Sequence, residues 1–72
     1  MNNIEKVPVT SSNIEAIGYD KETETLRVWF KAGSVYDYEK VPEHIFESFK
    51  NAISVGTYFA TIIKGNYQHK KI

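Results

Sequence analysis

Trp29 stands between Arg27 and Lys31 in the stretch "TLRVWFK". An exposed indole flanked by cations can bind single-stranded nucleic acid: the ring stacks on a base and the cations hold phosphates. The same pattern also suits a tryptophan covered by the N-terminal segment or by a partner subunit. Both readings stay open at this point. Lys64, Lys70 and Lys71 gather towards the other end of the chain. Residues 1–49 carry nine acids against five Lys/Arg, a net −4, and residues 50–72 carry four lysines and no acid, a net +4. Such asymmetry marks either a basic contact surface or a solvated tail. The His69-Lys70-Lys71 end is where a chain frays.

Catalytic patterns are missing. His44 and His69 stand alone, with no HxxxH pair, nucleophile motif or glycine-rich phosphate loop. A metal site needs three or four converging ligands, and none is spaced for it. Asp37 and Glu39 sit two residues apart, but paired carboxylates do acid–base work only in a pocket that separates their pKa values. Solvated acids on an edge strand are the plainer reading. We therefore expect no enzyme, no cofactor and no metal.

Tyr36 and Tyr38 alternate with those acids in "GSVYDYEKVP", and their role depends on hairpin register. An odd loop that pairs Phe30 with Tyr36 puts both tyrosines beside Val28 and Phe30, as core or rim residues. An even loop pairs Phe30 with Val35 and sets Tyr36 opposite Trp29 in an aromatic strip. A one-residue slip thus reverses the reading. The even loop would turn two unpaired acids towards the interior, which is costly, so the odd register is expected.

The elements that position these residues follow from periodicity. "NIEAIGYD" is a short strand with a break or bulge at Gly18. Asp20 opens a turn by bonding its own backbone. "TLRVWFK" alternates, with Leu26, Val28 and Phe30 on one face and Arg27, Trp29 and Lys31 on the other. Gly33 marks the next turn, and "VYDYEKV" alternates again. Pro8 disfavours a central strand near the start. At Pro42 the period changes, since proline pre-sets φ for a helix start. Ile45, Phe46, Phe49, Ala52 and Ile53 then recur at helical spacing. Glu47 and Lys50, three apart, attract. Ser54 reads as a second N-cap, and Gly65 as a left-handed stop. The expected fold is α+β: a three-stranded antiparallel meander followed by two short helices that cover one face.

Length bounds the rest. Seventy-two residues make one domain, and a chain this short hides only about 60% of its unfolded surface. Residues 1–8 and 68–72 are read as flexible ends. Cysteine is absent, so no thiol chemistry is available. No run of about 18 apolar residues occurs, and the N-terminus lacks a secretory pattern. The expected setting is cytoplasmic. Zero formal net charge argues against a strongly electrostatic nucleic-acid binder.

From Val9 to Tyr67 the chain resembles the KTSC domain, named for a C-terminal extension of some lysyl-tRNA synthetases and found also as a small stand-alone protein in bacteria and phages. The resemblance rests on "SSNIEAIGYD", "LRVWFKAGSVYDYEKVP" with its Tyr36-Asp37-Tyr38, "SVGTYF", and Ile63-Lys64 with trailing Tyr67. Where the family pattern commonly has asparagine after the "YF" pair, this chain has Ala60. The resemblance implies a small sheet, curled like an SH3 barrel, with helices, and it implies RNA binding. No catalytic residues come with it.

The leading expectation is an RNA-binding module contacting its ligand through Trp29, Arg27, Lys31, Tyr36, Tyr38, Lys64, Lys70 and Lys71. The alternatives are a protein-interaction or self-associating module, and a phage or mobile-element accessory protein that sequesters a nucleotide or blocks a host protein.

Overall fold

The computed structural model describes residues 4–72; of the segment read as a flexible start, residues 1–3 lie outside this range. Five strands form one antiparallel sheet in chain order: β1 (Val7–Pro8), β2 (Ile14–Asp20), β3 (Thr25–Phe30), β4 (Val35–Tyr38) and β5 (His69–Lys71). Two helices, α1 (Glu43–Lys50) and α2 (Val55–Tyr58), intervene between β4 and β5, and α2 runs into a π-helix at Phe59–Ile63. The α+β class holds, but three strands become five. The end strands do not pair with each other, so the sheet is an open meander rather than a closed SH3-like barrel.

The three inner strands follow their alternation. Phe30 accepts from the Gly33 N–H and donates to the Ser34 carbonyl, both at 2.9 Å. This closes a three-residue loop with Gly33 at φ 106°, a conformation glycine adopts without strain. The resulting register pairs Val28 with Tyr36 and Leu26 with Tyr38. It lies two residues from the Phe30–Tyr36 pairing but keeps its parity, so both tyrosines share the face of Leu26 and Val28. The irregularity expected at Gly18 lies instead between Ile14 and Ala16. Gly18 has another use. A Cβ there would lie 2.5 Å from the Glu5 carbonyl oxygen and the Ile4 side chain, and 3.2 Å from the Trp29 ring. The missing side chain lets residues 4–6 cross the sheet.

The two outer strands were not legible. Pro8 fits β1 because an edge strand leaves one backbone row unpaired and tolerates a missing donor. β5 comes from the segment read as a fraying tail. Gly65, at φ 86°, reverses the chain, and the Glu39 N–H to Gln68 O bond at 2.8 Å and the Ile72 N–H to Val35 O bond at 2.9 Å extend the ladder on either side of β5. Lysines suit this position, since charge on an edge discourages further strand pairing.

The helices cover the Leu26/Val28 face. Pro42 is the extended N-cap of α1 and Glu43 occupies the first turn, where a negative charge suits the helix dipole. Phe46 stacks on Tyr19 at 5.1 Å and Phe49 on Tyr58 at 5.5 Å. The Tyr19 hydroxyl donates to the Val41 carbonyl, tying β2 to the chain just before α1. Lys50 bridges Glu47 at 3.2 Å. The helical pattern predicted to run on to Ile53 stops at Lys50, because Asn51 caps the helix and its Nδ2 bonds the Glu47 carbonyl at 2.9 Å. Ile53 is left fully exposed. Ser54 caps α2 as expected, accepting from the Thr57 N–H at 3.3 Å. Ile14, Ile17, Leu26, Val28, Val41, Phe49 and Ile63 form the dry centre. No helix among the described residues is long and apolar enough to cross a membrane.

Candidate functional site

One end of the helix-covered face stays open. There β3, β4, β5 and the π-helix surround a groove of about 570 Å³. Its aromatic lining is Phe30, Tyr36, Tyr38, Phe59 and His69. Phe30 meets Tyr36 edge-on (5.8 Å, 87°) and Phe59 edge-on (5.4 Å, 76°), while Phe59 meets Tyr38 at 5.7 Å and 83°. Phe59 and Tyr38 are 7% and 4% exposed and form the floor, while the half-buried Phe30 and Tyr36 and the exposed His69 are the rings open to whatever enters. His69 lies 5.6 Å from Tyr36 and 5.2 Å from Tyr38, because β5 sets it opposite Tyr38.

Two lysines complete the lining, Lys31 from the β3–β4 loop and Lys64 from the end of the π-helix. Lys64 is placed by backbone geometry. Its N–H donates to the Phe59 carbonyl at 2.8 Å, an i→i+5 bond. In an α-helix the residue stacked above position 59 would be 63; the wider π-turn brings residue 64 there instead. Such turns are frequent at functional sites. No acid lines the groove. Among the described residues, the ion pairs are Lys6–Glu15, Arg27–Asp37 and Lys50–Glu47, so neither groove lysine is neutralised by one.

The tyrosines divide by hydroxyl. Tyr19 and Tyr58 donate to backbone carbonyls, whereas those of Tyr36 and Tyr38 have no partner among the described residues. Burial raises the Tyr38 pKa above its ordinary 10, with the neighbouring Tyr36 phenol adding to the effect. At neutral pH Tyr38 is therefore a neutral phenol that can donate or accept. Asn13, also on the rim, accepts from the Ser11 hydroxyl through Oδ1 at 3.1 Å. Its amide NH₂ remains to donate.

The structure thus brings Tyr36, Tyr38, Lys31 and Lys64 together and sends the other candidates elsewhere. Lys31 leaves the Trp29 face because β3 ends at Phe30, after which strand alternation no longer governs direction. Arg27 is committed to Asp37: Nε to Oδ1 is 2.7 Å and Nη2 to Oδ2 is 3.0 Å. This bond holds the guanidinium pKa above its ordinary value, with burial opposing. The reading of Asp37 as a solvated acid is overturned, since it is 6% exposed. Trp29 is half-buried beneath the N-terminal segment, with Lys6 Nζ 5.5 Å from its ring centre. Lys70 stands opposite Asp37 on the Arg27 face, and Lys71 pairs with Tyr36 on β5 without lining the groove. Sequence reasoning missed His69, Phe59 and Phe30 as lining residues. The Tyr67-x-His69 alternation was the available signal for β5. Among the described residues no three His, Cys, Asp or Glu could hold a metal ion.

Comparison with known proteins agrees with this architecture. The KTSC domain model matches residues 10–67. Lysine–tRNA ligase of Nostoc punctiforme is 39% identical over 61 residues, and that of a second Nostoc strain is 41% identical. These matches take in 85% of this chain but 11% of each ligase, so the chain spans a small segment of those enzymes. A protein of Stutzerimonas stutzeri is 34% identical over 85% of this chain and 86% of its own length. A KTSC domain protein of Yersinia pestis, solved by crystallography, superposes with a TM-score of 0.92 at 38% identity, covering 97% of this chain and 99% of that one.

Proposed function

The chain belongs to the KTSC domain family, and from that footing we propose that it is a small, non-enzymatic RNA-binding module that holds its ligand in the aromatic groove. The observation that carries the reading is the convergence of Tyr36, Tyr38, Phe59 and His69 with Lys31 and Lys64 in one acid-free concavity. A nucleobase stacks on the aromatic surface and the lysines neutralise phosphate. The relatives that carry a matching segment inside a lysine–tRNA ligase support RNA over other anions, and a cytoplasmic setting goes with that ligand. The contact face differs from the one that Trp29 suggested, because Trp29 and Arg27 already have partners within the chain.

The test is fluorescence anisotropy of labelled short RNAs, single-stranded and structured, titrated with the protein at several salt concentrations. Two phosphate-neutralising lysines predict a slope of log K against log salt of about −1.4 for single strands, at about −0.7 per phosphate. Lys31→Ala or Lys64→Ala should each reduce that slope by about half. Absence of binding by micromolar protein at low salt sinks the proposal.

A second reading, a protein-interaction or self-associating module, is favoured by Ile53, which stands fully exposed at the α1–α2 junction. Light scattering across a concentration series tests self-association. A mass that stays monomeric for both the parent and Ile53→Asp counts against it.

A further inference from the structure

We propose that the groove reads the phosphorylated terminal nucleotide of an RNA strand, taking one base and its end phosphate rather than a run of internal nucleotides. This rests on the RNA-binding reading and narrows it. Size is the first support. A concavity of about 570 Å³ falls in the range of small-ligand pockets, roughly 300–1,000 Å³. Proteins that track a strand combine a basic groove with aromatics for successive bases. Here Trp29 and Arg27 lie on the opposite face, one beneath Lys6 and the other bound to Asp37. The open aromatic surface therefore centres on this one groove, lined by Lys31 and Lys64, with Lys71 paired to Tyr36 beyond its lining.

Shape is the second support. Phe30 and Phe59 stand nearly perpendicular, as do Phe59 and Tyr38. Phe59 and Tyr38, both buried, make the floor of this box, and the half-buried Phe30 and Tyr36 with the exposed His69 make walls on which a single flat ring can stack or rest its edge. The Asn13 amide NH₂ and the tyrosine hydroxyls supply polar contacts for that ring.

Charge complementarity is the third. An internal phosphodiester carries one negative charge, whereas a terminal phosphomonoester carries about −1.5 to −2 at pH 7. The groove offers two lysines, Lys31 and Lys64, with no acid in its lining, and neither belongs to the three ion pairs among the described residues. They arrive from separate elements, the hairpin loop and the π-helix end. Two cations match a dianion better than a single charge.

The experiment compares one short RNA in three forms, 5′-phosphorylated, 3′-phosphorylated and hydroxyl-ended, with adenosine monophosphate as competitor. Anisotropy gives the affinities, and amide shifts of Tyr36, Lys64 and His69 locate the contact. We expect at least one phosphorylated form to bind tenfold or more tightly than the hydroxyl-ended form. We expect the monophosphate to displace it, and Lys64→Ala or Lys31→Ala to abolish the preference. Equal affinity for all three forms overturns this proposal and leaves general RNA binding standing. Binding of the monophosphate without any RNA overturns both, in favour of a free-nucleotide pocket. Binding of neither also removes both.

Discussion

Replacing Arg27 with methionine should destabilise the domain by about 2–3 kcal/mol and leave RNA affinity unchanged. The Asp37 side chain is 9% exposed and takes both guanidinium bonds, at 2.7 and 3.0 Å. Removing one partner of a fully buried ion pair costs about 3–5 kcal/mol, because the other charge is left desolvated. Two features lower that figure here. The Arg27 side chain is 30% exposed, so water can replace part of what is lost, and Lys70 stands opposite Asp37 on β5. Methionine keeps most of the apolar stem, which isolates the charge effect. A chain of this length has roughly 4–11 kcal/mol of stability, so the loss is readable and not fatal. With a urea m-value of about 1 kcal/mol/M, the midpoint should fall by about 2–3 M. Far-UV circular dichroism is the probe, since Trp29 adjoins the change. The double variant Arg27→Met/Asp37→Leu removes both charges and should recover most of the loss. A single variant within about 0.5 kcal/mol of the parent, the usual span of a surface substitution, refutes the buried-pair reasoning. So does a double variant no more stable than the single. Loss of RNA binding by a folded Arg27→Met protein would refute the assignment of the ligand to the groove face.

Gly18→Ala should cost about 1–3 kcal/mol by overpacking and expose Trp29, because the new Cβ would meet Glu5 and Ile4 at 2.5 Å; a red shift of the single tryptophan's emission reads this, and unchanged emission and midpoint contradict it. Ser54→Ala should cost roughly 1 kcal/mol through loss of the α2 cap, measured by urea denaturation; no loss would mean the cap is not needed. Burial is the largest cause raising the pKa of Tyr19 and Tyr38, with Glu24, Glu43 and Asp20 adding to it at Tyr19 and Tyr36 at Tyr38. Below the unfolded value of about 10 both states keep these protons. Above it the unfolded chain loses them first, so stability should be level up to about pH 10 and fall as pH rises through the folded values. Urea midpoints from pH 8 to 11 check this, with Tyr19→Phe and Tyr38→Phe expected to shallow the decline; a midpoint that rises over this range reverses the sign.

Much of the frame was legible because local patterns report local geometry. The period-two alternation of Leu26, Val28 and Phe30 settled which face of β3 is buried. The cost of burying Asp37 and Glu39 unpaired gave the right parity for Tyr36 and Tyr38, yet its premise failed for Asp37. That carboxylate is buried on the other face with Arg27 as its partner, a pairing created when β3 and β4 align. α1 ended three residues before Ile53 because Asn51 can turn its amide back onto Glu47, and apolar spacing does not register such a competitor.

The amino-acid sequence by itself determined the inner strands, their faces, the Pro42 switch from sheet to helix, the Ser54 cap and the glycine reversals at Gly33 and Gly65. Each of these depends on side chains within a few residues of one another. Tertiary structure alone decided that residues 69–71 pair with β4, that residues 4–6 cover Trp29, and that Lys31, Lys64 and His69 meet at one groove. β5 is held by backbone bonds to a strand some thirty residues earlier, and backbone groups carry no sequence label. The groove exists only where that pairing and the π-turn after Tyr58 bring distant side chains to one end of the sheet.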